Sequence, residues 1–202
     1  MSRTALILVA LGLAAMTVVA IGCGKKVVSR VDPNETIDLS GKWNDTDSRL
    51  VAEEMIADCL GSPWLVRFEQ NARPPAVIAG SIRNKSAEHI PVTTFLRDIE
   101  RALVNSGAVQ VVASAEERGE IRDEREDQRA NAAPETIKRM GMELGADFML
   151  IGEITQINDR EEGEEVRYYQ VDLTLVNIET NVKTWIGQKK IKKYVARRRY
   201  GA

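Results

Sequence analysis

Apolar residues at Val51, Met55 and Cys59 recur at intervals of four, with Ile56 and Leu60 beside them, and give one apolar face to a helix. That helix follows Asp45-Thr46-Asp47-Ser48, any of which can cap its free amides, and Gly61 and Pro63 stop it. A shorter helical piece is expected from Trp64 to Glu69, after which Arg73-Pro74-Pro75 forces an extended approach to the next element. Ala76 to Ile82 reads as a short strand. Val92 to Ser106 reads as a second long helix, with Phe95, Ile99, Ala102, Leu103 and Ser106 on one side and Gly107 at its end. Val109 to Val112 reads as a second strand.

The following stretch, Ala115 to Ala130, is highly charged, and Ile121 is its only large apolar residue. Residues four apart mostly carry the same sign: Glu116, Glu120 and Glu124; Arg118 and Arg122; Asp123 and Asp127; Arg125 and Arg129. Each such pair destabilises an isolated helix by a few tenths of a kcal/mol, so a helix here is marginal alone. Two readings follow: a frayed surface connector, or a segment ordered by a partner of complementary charge, with Arg118 and Arg122 as candidate contacts.

Pro134 to Leu144 is expected to be helical, with Pro134 in the first turn and Ile137, Met140, Met142 and Leu144 as apolar positions. Phe148-Met149-Leu150-Ile151 opens a strand running to Ile157, and its unbroken apolar run suits a central strand covered on both faces. Asn158 to Glu164 reads as a polar loop. Tyr169, Val171, Leu173 and Leu175 then alternate with Gln170, Asp172 and Thr174, the mark of a strand with one buried face. A tight connection at Glu179-Thr180-Asn181 leads to a last strand with Trp185, Gly187 and Ile191 on one side. Early crossovers and late hairpins imply an α+β fold, one domain with a mixed sheet packed with helices.

The N-terminus changes the picture. A single cation, Arg3, precedes an uncharged run from Thr4 to Gly24, the layout of an export signal or of an uncleaved spanning helix. Ala20-Ile21-Gly22-Cys23 closes that run and resembles a bacterial lipobox, in which the cysteine thiol receives a diacylglycerol and the preceding peptide is removed. This divides the chain into a signal peptide at 1–22, a lipidated Cys23 with a tether to residue 44, and a globular domain at 45–202. Several acyl chains, at roughly 0.8 kcal/mol per buried methylene, hold a protein firmly on a membrane. Gly24 does not match the aspartate that commonly signals inner-membrane retention, so the resemblance implies an outer-membrane anchor facing the periplasm. The 21 residues from Gly24 to Asn44 reach about 70 Å at full extension and nearer 25 Å as a flexible coil.

Composition narrows the chemistry. The 202 residues are 44% hydrophobic and 29% charged with net charge −2, room for one ordinary domain with no basic excess to hold nucleic acid. One histidine, His89, cannot supply a multi-histidine metal site, and it reads as a surface-loop residue. Cys59 reads as a small buried hydrophobe. No phosphate-cradling glycine loop, H-E-x-x-H, C-x-x-C or G-x-S-x-G is present, so no cofactor is implied and an enzyme is disfavoured. Paired carboxylates leave a weak cell-wall hydrolase open. The basic run Lys189, Lys190, Lys192, Lys193, Arg197, Arg198 and Arg199 has no acid within it. Lys189 and Lys193 share the face of Ile191 while Lys190 and Lys192 point the other way. These cations either protect an edge strand or attract anionic lipid heads, cell-wall polymer or an acidic protein patch.

The run Val31-Asp32 through Asp38-Leu39-Ser40-Gly41-Lys42-Trp43-Asn44-Asp45-Thr46-Asp47-Ser48-Arg49, then Pro63-Trp64-Leu65 and Arg73-Pro74-Pro75, resembles the penicillin-binding protein activator lipoproteins of the LpoB type. So do Gly152-Glu153-Ile154, Tyr168 to Leu173, and Trp185 to Lys193. The resemblance implies a fold similar to the N-terminal domain of TolB. It also implies a noncatalytic protein that binds a docking domain of a bifunctional peptidoglycan synthase, a class A penicillin-binding protein, and stimulates it by contact. Members that cross the periplasm need a long disordered arm, whereas the tether here is short. The alternative is a structural or assembly lipoprotein of another envelope complex. Trp43 is a further candidate contact, as an exposed anchor, unless it closes over the domain's own core.

Overall fold

A computed structural model describes residues 27–68 and 73–196. The expected signal segment, Cys23, and the arginines from Arg197 onward lie outside the described residues. The chain divides into two units, Met1–Glu35 and Thr36–Ala202. In the first, Asp32 organises a turn by accepting the Asn34 amide at 2.8 Å.

In the second unit, α1 spans Asp45–Gly61 and α2 spans Pro63–Phe68. The cap of α1 is Asn44, one residue before the expected set. Asn44 accepts the Asp47 amide while the Asp47 carboxylate accepts the Asn44 amide, so two orphan donors are satisfied reciprocally. Asp45 to Ser48 form the first turn itself, and Thr46, Asp47 and Ser48 are buried. Val51, Met55, Ile56 and Cys59 turn into the core as their spacing predicts. Burial pushes the Cys59 thiol up to about 12, consistent with its reading as an inert hydrophobe.

β1 (Ala76–Asn84), α3 (Val92–Ser106) and β2 (Gln110–Val111) form a parallel crossover. α3 has the expected bounds, buries Phe95, Ile99 and Leu103, and ends on Gly107 in the left-handed conformation at φ 66°. α4 spans Ala115–Asn131 and buries no side chain. The expected helix at Pro134–Leu144 does not form. Met140, Met142 and Leu144 stay exposed, and Gly141 takes a φ of 73°, incompatible with a continuing right-handed helix. Its apolar spacing had no core to face.

β3 (Phe148–Glu161), β4 (Glu164–Asn177) and β5 (Lys183–Ala196) complete a five-stranded mixed sheet in the order β2-β1-β3-β4-β5. The expected loop at Asn158–Glu164 is strand almost throughout. β3 and β4 pair without a break from Phe148 with Asn177 to Glu161 with Glu164, leaving a two-residue turn. Glu162 and Gly163 both take positive φ, 45° and 95°, which matches the right-handed twist of the flanking strands. Polarity misled because these residues form the tip of a ribbon that is wet on both sides, every residue from Asn158 to Glu164 being exposed.

Helices α1 and α3 cover one face of the sheet. Among the described residues no helix covers the other face. β3 therefore departs from the doubly covered strand expected at Phe148–Ile151: Phe148 and Leu150 are buried, while Met149 is exposed and Ile151 half-buried. Tyr169, Val171, Leu173 and Leu175 line the covered face as their alternation predicts.

Candidate functional site

On the covered side, the part of the sheet that extends beyond β1 is closed by a polar network around Glu88. Its Oε1 accepts from Tyr169 Oη at 2.9 Å, Gln156 Nε2 at 2.7 Å and Arg167 Nη1 at 3.1 Å, and its Oε2 accepts the Trp43 amide at 3.2 Å. Arg167 is buried and also donates to Glu165 at 2.8 Å, which holds the Glu165 carboxyl below its usual range. Burial, together with Glu88, raises the Tyr169 phenol.

A strap crosses the same end. Lys193 Nζ donates to Asp47 at 2.6 Å, Asp38 at 2.7 Å and the Lys42 carbonyl at 3.2 Å. Burial works against the charge of Lys193, but the two carboxylates outweigh it and its pKa is raised. Asp38 to Asn44, assigned to the tether by composition, are thus held against α1 and β5. Trp43 is half-buried in this strap. Its indole donates to Ser48 at 2.7 Å, and it meets Phe95 and Tyr169 edge to face at 6.1 and 5.6 Å. Trp43 therefore closes over the domain's own core.

The uncovered face is fixed by strand register. Met149, Val176 and Lys183 form one row; Ile151, Thr174 and Ile186 the next; Glu153, Asp172 and Gln188 the third. Thr155, Gln170 and Lys190 follow, then Ile157, Tyr168 and Lys192, and finally Asp159, Val166 and Tyr194. A depression of about 310 Å³ sits on the first rows, lined among others by Arg83, Glu153, Asp172 and Lys183. Lys190 and Lys192 are exposed, and among the described residues neither forms an ion pair. On the opposite face Lys189 pairs with Glu54 of α1, so the two sides of β5 divide their lysines as the alternation predicts.

α4 follows β2, the strand at the other edge of the sheet, and its first turns adjoin Arg97, Glu100 and Val104 of α3. Arg122 makes a two-pronged bond to Glu143 at 3.0 and 2.8 Å, and Arg125 joins it at 2.9 Å. Arg118 donates to the Ala113 carbonyl at 3.2 Å. Of the five candidate contacts, Arg118 and Arg122 thus stand together on α4, Lys190 and Lys192 together on β5, and Trp43 apart from both. The Glu88 and Lys193 clusters gave little advance sign. Their members come from segments up to 155 residues apart, as with Asp38 and Lys193.

Residues 47–191 match the family of the peptidoglycan-synthase activator LpoB. The chain belongs to that family. The match runs from the first turn of α1 into β5 and takes in β1 to β4 whole. Among solved structures, this LpoB-family chain is similar to the LpoB C-terminal domain from Escherichia coli, at 13% identity and TM-score 0.44 over 73% of this chain and 99% of that one. It is likewise similar to the LpoB C-terminal domain from Salmonella enterica, at 13% identity and TM-score 0.42 over 75% of this chain and 99% of that one. The NMR structure of Escherichia coli LpoB gives 11% identity and TM-score 0.41 over 88% and 85%. No curated protein sequence matches.

Proposed function

We propose that this chain is a noncatalytic lipoprotein of the outer membrane, anchored through Cys23 on the periplasmic side, that activates a bifunctional peptidoglycan synthase by direct contact. The observation that carries this reading is the family match over residues 47–191. The uncovered sheet face supports it, because it offers a broad surface on a rigid scaffold. Exposed Met149 and Ile186 stand there beside Arg83, Glu153, Asp172 and Lys183, the mixture of apolar and polar groups common at non-obligate interfaces.

Contact activates only if the ligand binds the active form of the synthase more tightly than the resting form. A preference of about 1.4 kcal/mol gives a tenfold shift between the two. The test is polymerisation of lipid-linked precursor by the purified synthase, with and without saturating full-length chain. A severalfold rise in rate is expected, and it should be lost in Ile186→Asp. An unchanged rate when the two proteins demonstrably bind would overturn activation, and release of muropeptides by the chain alone would replace it with a hydrolase.

A further inference from the structure

Lys190 and Lys192 belong to a surface that neither the core nor the depression on the first rows uses. Beyond Ile154, β3 no longer pairs with β1, and β3, β4 and β5 continue as a three-stranded ribbon. The outward side of this ribbon carries Thr155, Gln170 and Lys190, then Ile157, Tyr168 and Lys192, and then Asp159, Val166 and Tyr194. No carboxylate stands in the two rows that hold the lysines. Asp172 and Glu153 lie one row away on one side. On the other, Asp159 stands in the row of Tyr194, and Glu161 and Glu164 follow one row further, Glu164 accepting the Tyr194 hydroxyl at 2.7 Å.

The apolar groups are raised, not recessed: Ile157 is 65% exposed and Tyr194 62%. The chain then runs from Ala196 into Arg197, Arg198, Arg199 and Tyr200. Lysines with long apolar stems, tyrosines and an isolated, exposed isoleucine suit the boundary between headgroups and acyl chains. They suit a protein interface less well, since lysine is depleted there.

The strap supplies a second, independent observation. Lys193, next to Lys192 on the same strand, holds Asp38 and the Lys42 carbonyl, so the N-terminal part of the body is fastened at the basic end of β5. From Cys23 to Thr36 the chain reaches at most about 45 Å however it is arranged. An anchor at Cys23 therefore keeps this end of the body within about that distance of the membrane.

From this arrangement we infer that the outward side of the ribbon, centred on Lys190, Lys192, Ile157 and Tyr194, is a docking surface for a membrane carrying anionic phospholipid headgroups. The inference rests on the anchored reading for its orientation, while its chemistry is independent of the synthase. Each lysine near an anionic surface strengthens binding about fivefold, so reversing two should weaken it tenfold or more.

The test is flotation of the full-length chain with vesicles of phosphatidylcholine alone and with vesicles containing phosphatidylglycerol. The apolar segment of residues 4–24 contributes equally to both, so the readout is the gain on the anionic vesicles. A gain that disappears in 0.5 M salt and in Lys190→Glu/Lys192→Glu supports the surface, as does a reduced gain in Ile157→Ser. Equal binding to both vesicle types, or a gain unchanged in the double variant, overturns it. Both lysines are exposed, and circular dichroism of the variant controls for folding. In the synthase assay the double variant is expected to stimulate as the unaltered chain does. Loss of stimulation with vesicle binding intact would assign the strip to an acidic protein surface and overturn the inference. Failure of the unaltered chain to stimulate would count against activation alone.

Discussion

α1 and α4 are both 17 residues long, and both begin with a reciprocal cap, Asn44 with Asp47 and Ser114 with Glu117. Eight residues of α1 are buried and none of α4. Equal length and equal capping therefore leave two helices in opposite physical situations. α1 is held by the sheet beneath it, through Val51, Met55 and Ile56, and by the bond from the Trp185 indole to Asp58 at 2.9 Å. α4 is held by its ends and its charges: Glu117 to Arg97 at 2.7 Å, and Arg122 and Arg125 to Glu143. Local chemistry starts a helix, but burial decides whether it belongs to the cooperative unit.

The most direct way to break the comparison is to truncate one apolar residue in each helix. Ile56→Ala removes a buried side chain and should cost about 2–5 kcal/mol of global stability in urea unfolding. Ile121→Ala, on the exposed flank of α4, should stay within roughly 0.5 kcal/mol. Comparable losses would show that α4 unfolds with the body.

The polar network of the ribbon lies between these extremes. Glu88→Ala leaves Arg167 with Glu165 as its remaining charged partner and strips the Tyr169 hydroxyl of its carboxylate. It should cost about 1–3 kcal/mol, with a loss of near-ultraviolet signal from Trp43. If stability is unchanged, the strap is ornamental and the body begins at α1.

The same contrast explains what was legible in advance. α3 was readable to the residue, because Phe95, Ile99 and Leu103 repeat with the helical period and Gly107 ends the run. The alternation of β4 placed Tyr169, Val171, Leu173 and Leu175 on the covered face. Lys189 and Lys193 were separable from Lys190 and Lys192 for the same reason. Pro134–Leu144 shows the limit: an apolar period without a surface to bury against makes no helix. Asn158–Glu164 shows the reverse, since a polar run becomes strand when its backbone is paired on a ribbon. Glu88 was invisible because a lone acid in a polar loop carries no pattern, and only the closing of the sheet brings Trp43, Gln156, Arg167 and Tyr169 to it. Trp43 itself is ambiguous by sequence alone, and its edge-to-face contacts with Phe95 and Tyr169 decide the case.

A smaller effect sharpens the comparison at the caps. Ser114→Ala removes the acceptor for the Glu117 amide and should cost about 1 kcal/mol, all of it local. Hydrogen exchange should quicken through α4 while α1 and the sheet keep their protection. Asn44→Ala carries a similar local cost, but α1 cannot fray independently of the core, so its loss should appear in the global urea midpoint. The two substitutions are chemically alike and differ only in what lies beneath the helix.

The least effect comes from protons. The Ser114 amide, helped by Arg97, lowers the Glu117 carboxyl, and Arg122, helped by Arg125, lowers that of Glu143. A depressed carboxylate stabilises the fold above its unfolded pKa, near 4.3, and loses that contribution as pH falls through the lower folded value. Acidification from neutral toward pH 3 should therefore loosen α4, read as hydrogen exchange corrected for its intrinsic pH dependence, before α1 responds. Salt at 0.5 M should weaken the same surface pairs at neutral pH. Glu143→Gln should reproduce part of the acid effect without acid, because it removes the charge that Arg122 and Arg125 share. If α4 keeps its protection in all three conditions, its contacts are not ionic in origin, and the distinction between a helix held by burial and one held by charge would fail at α4.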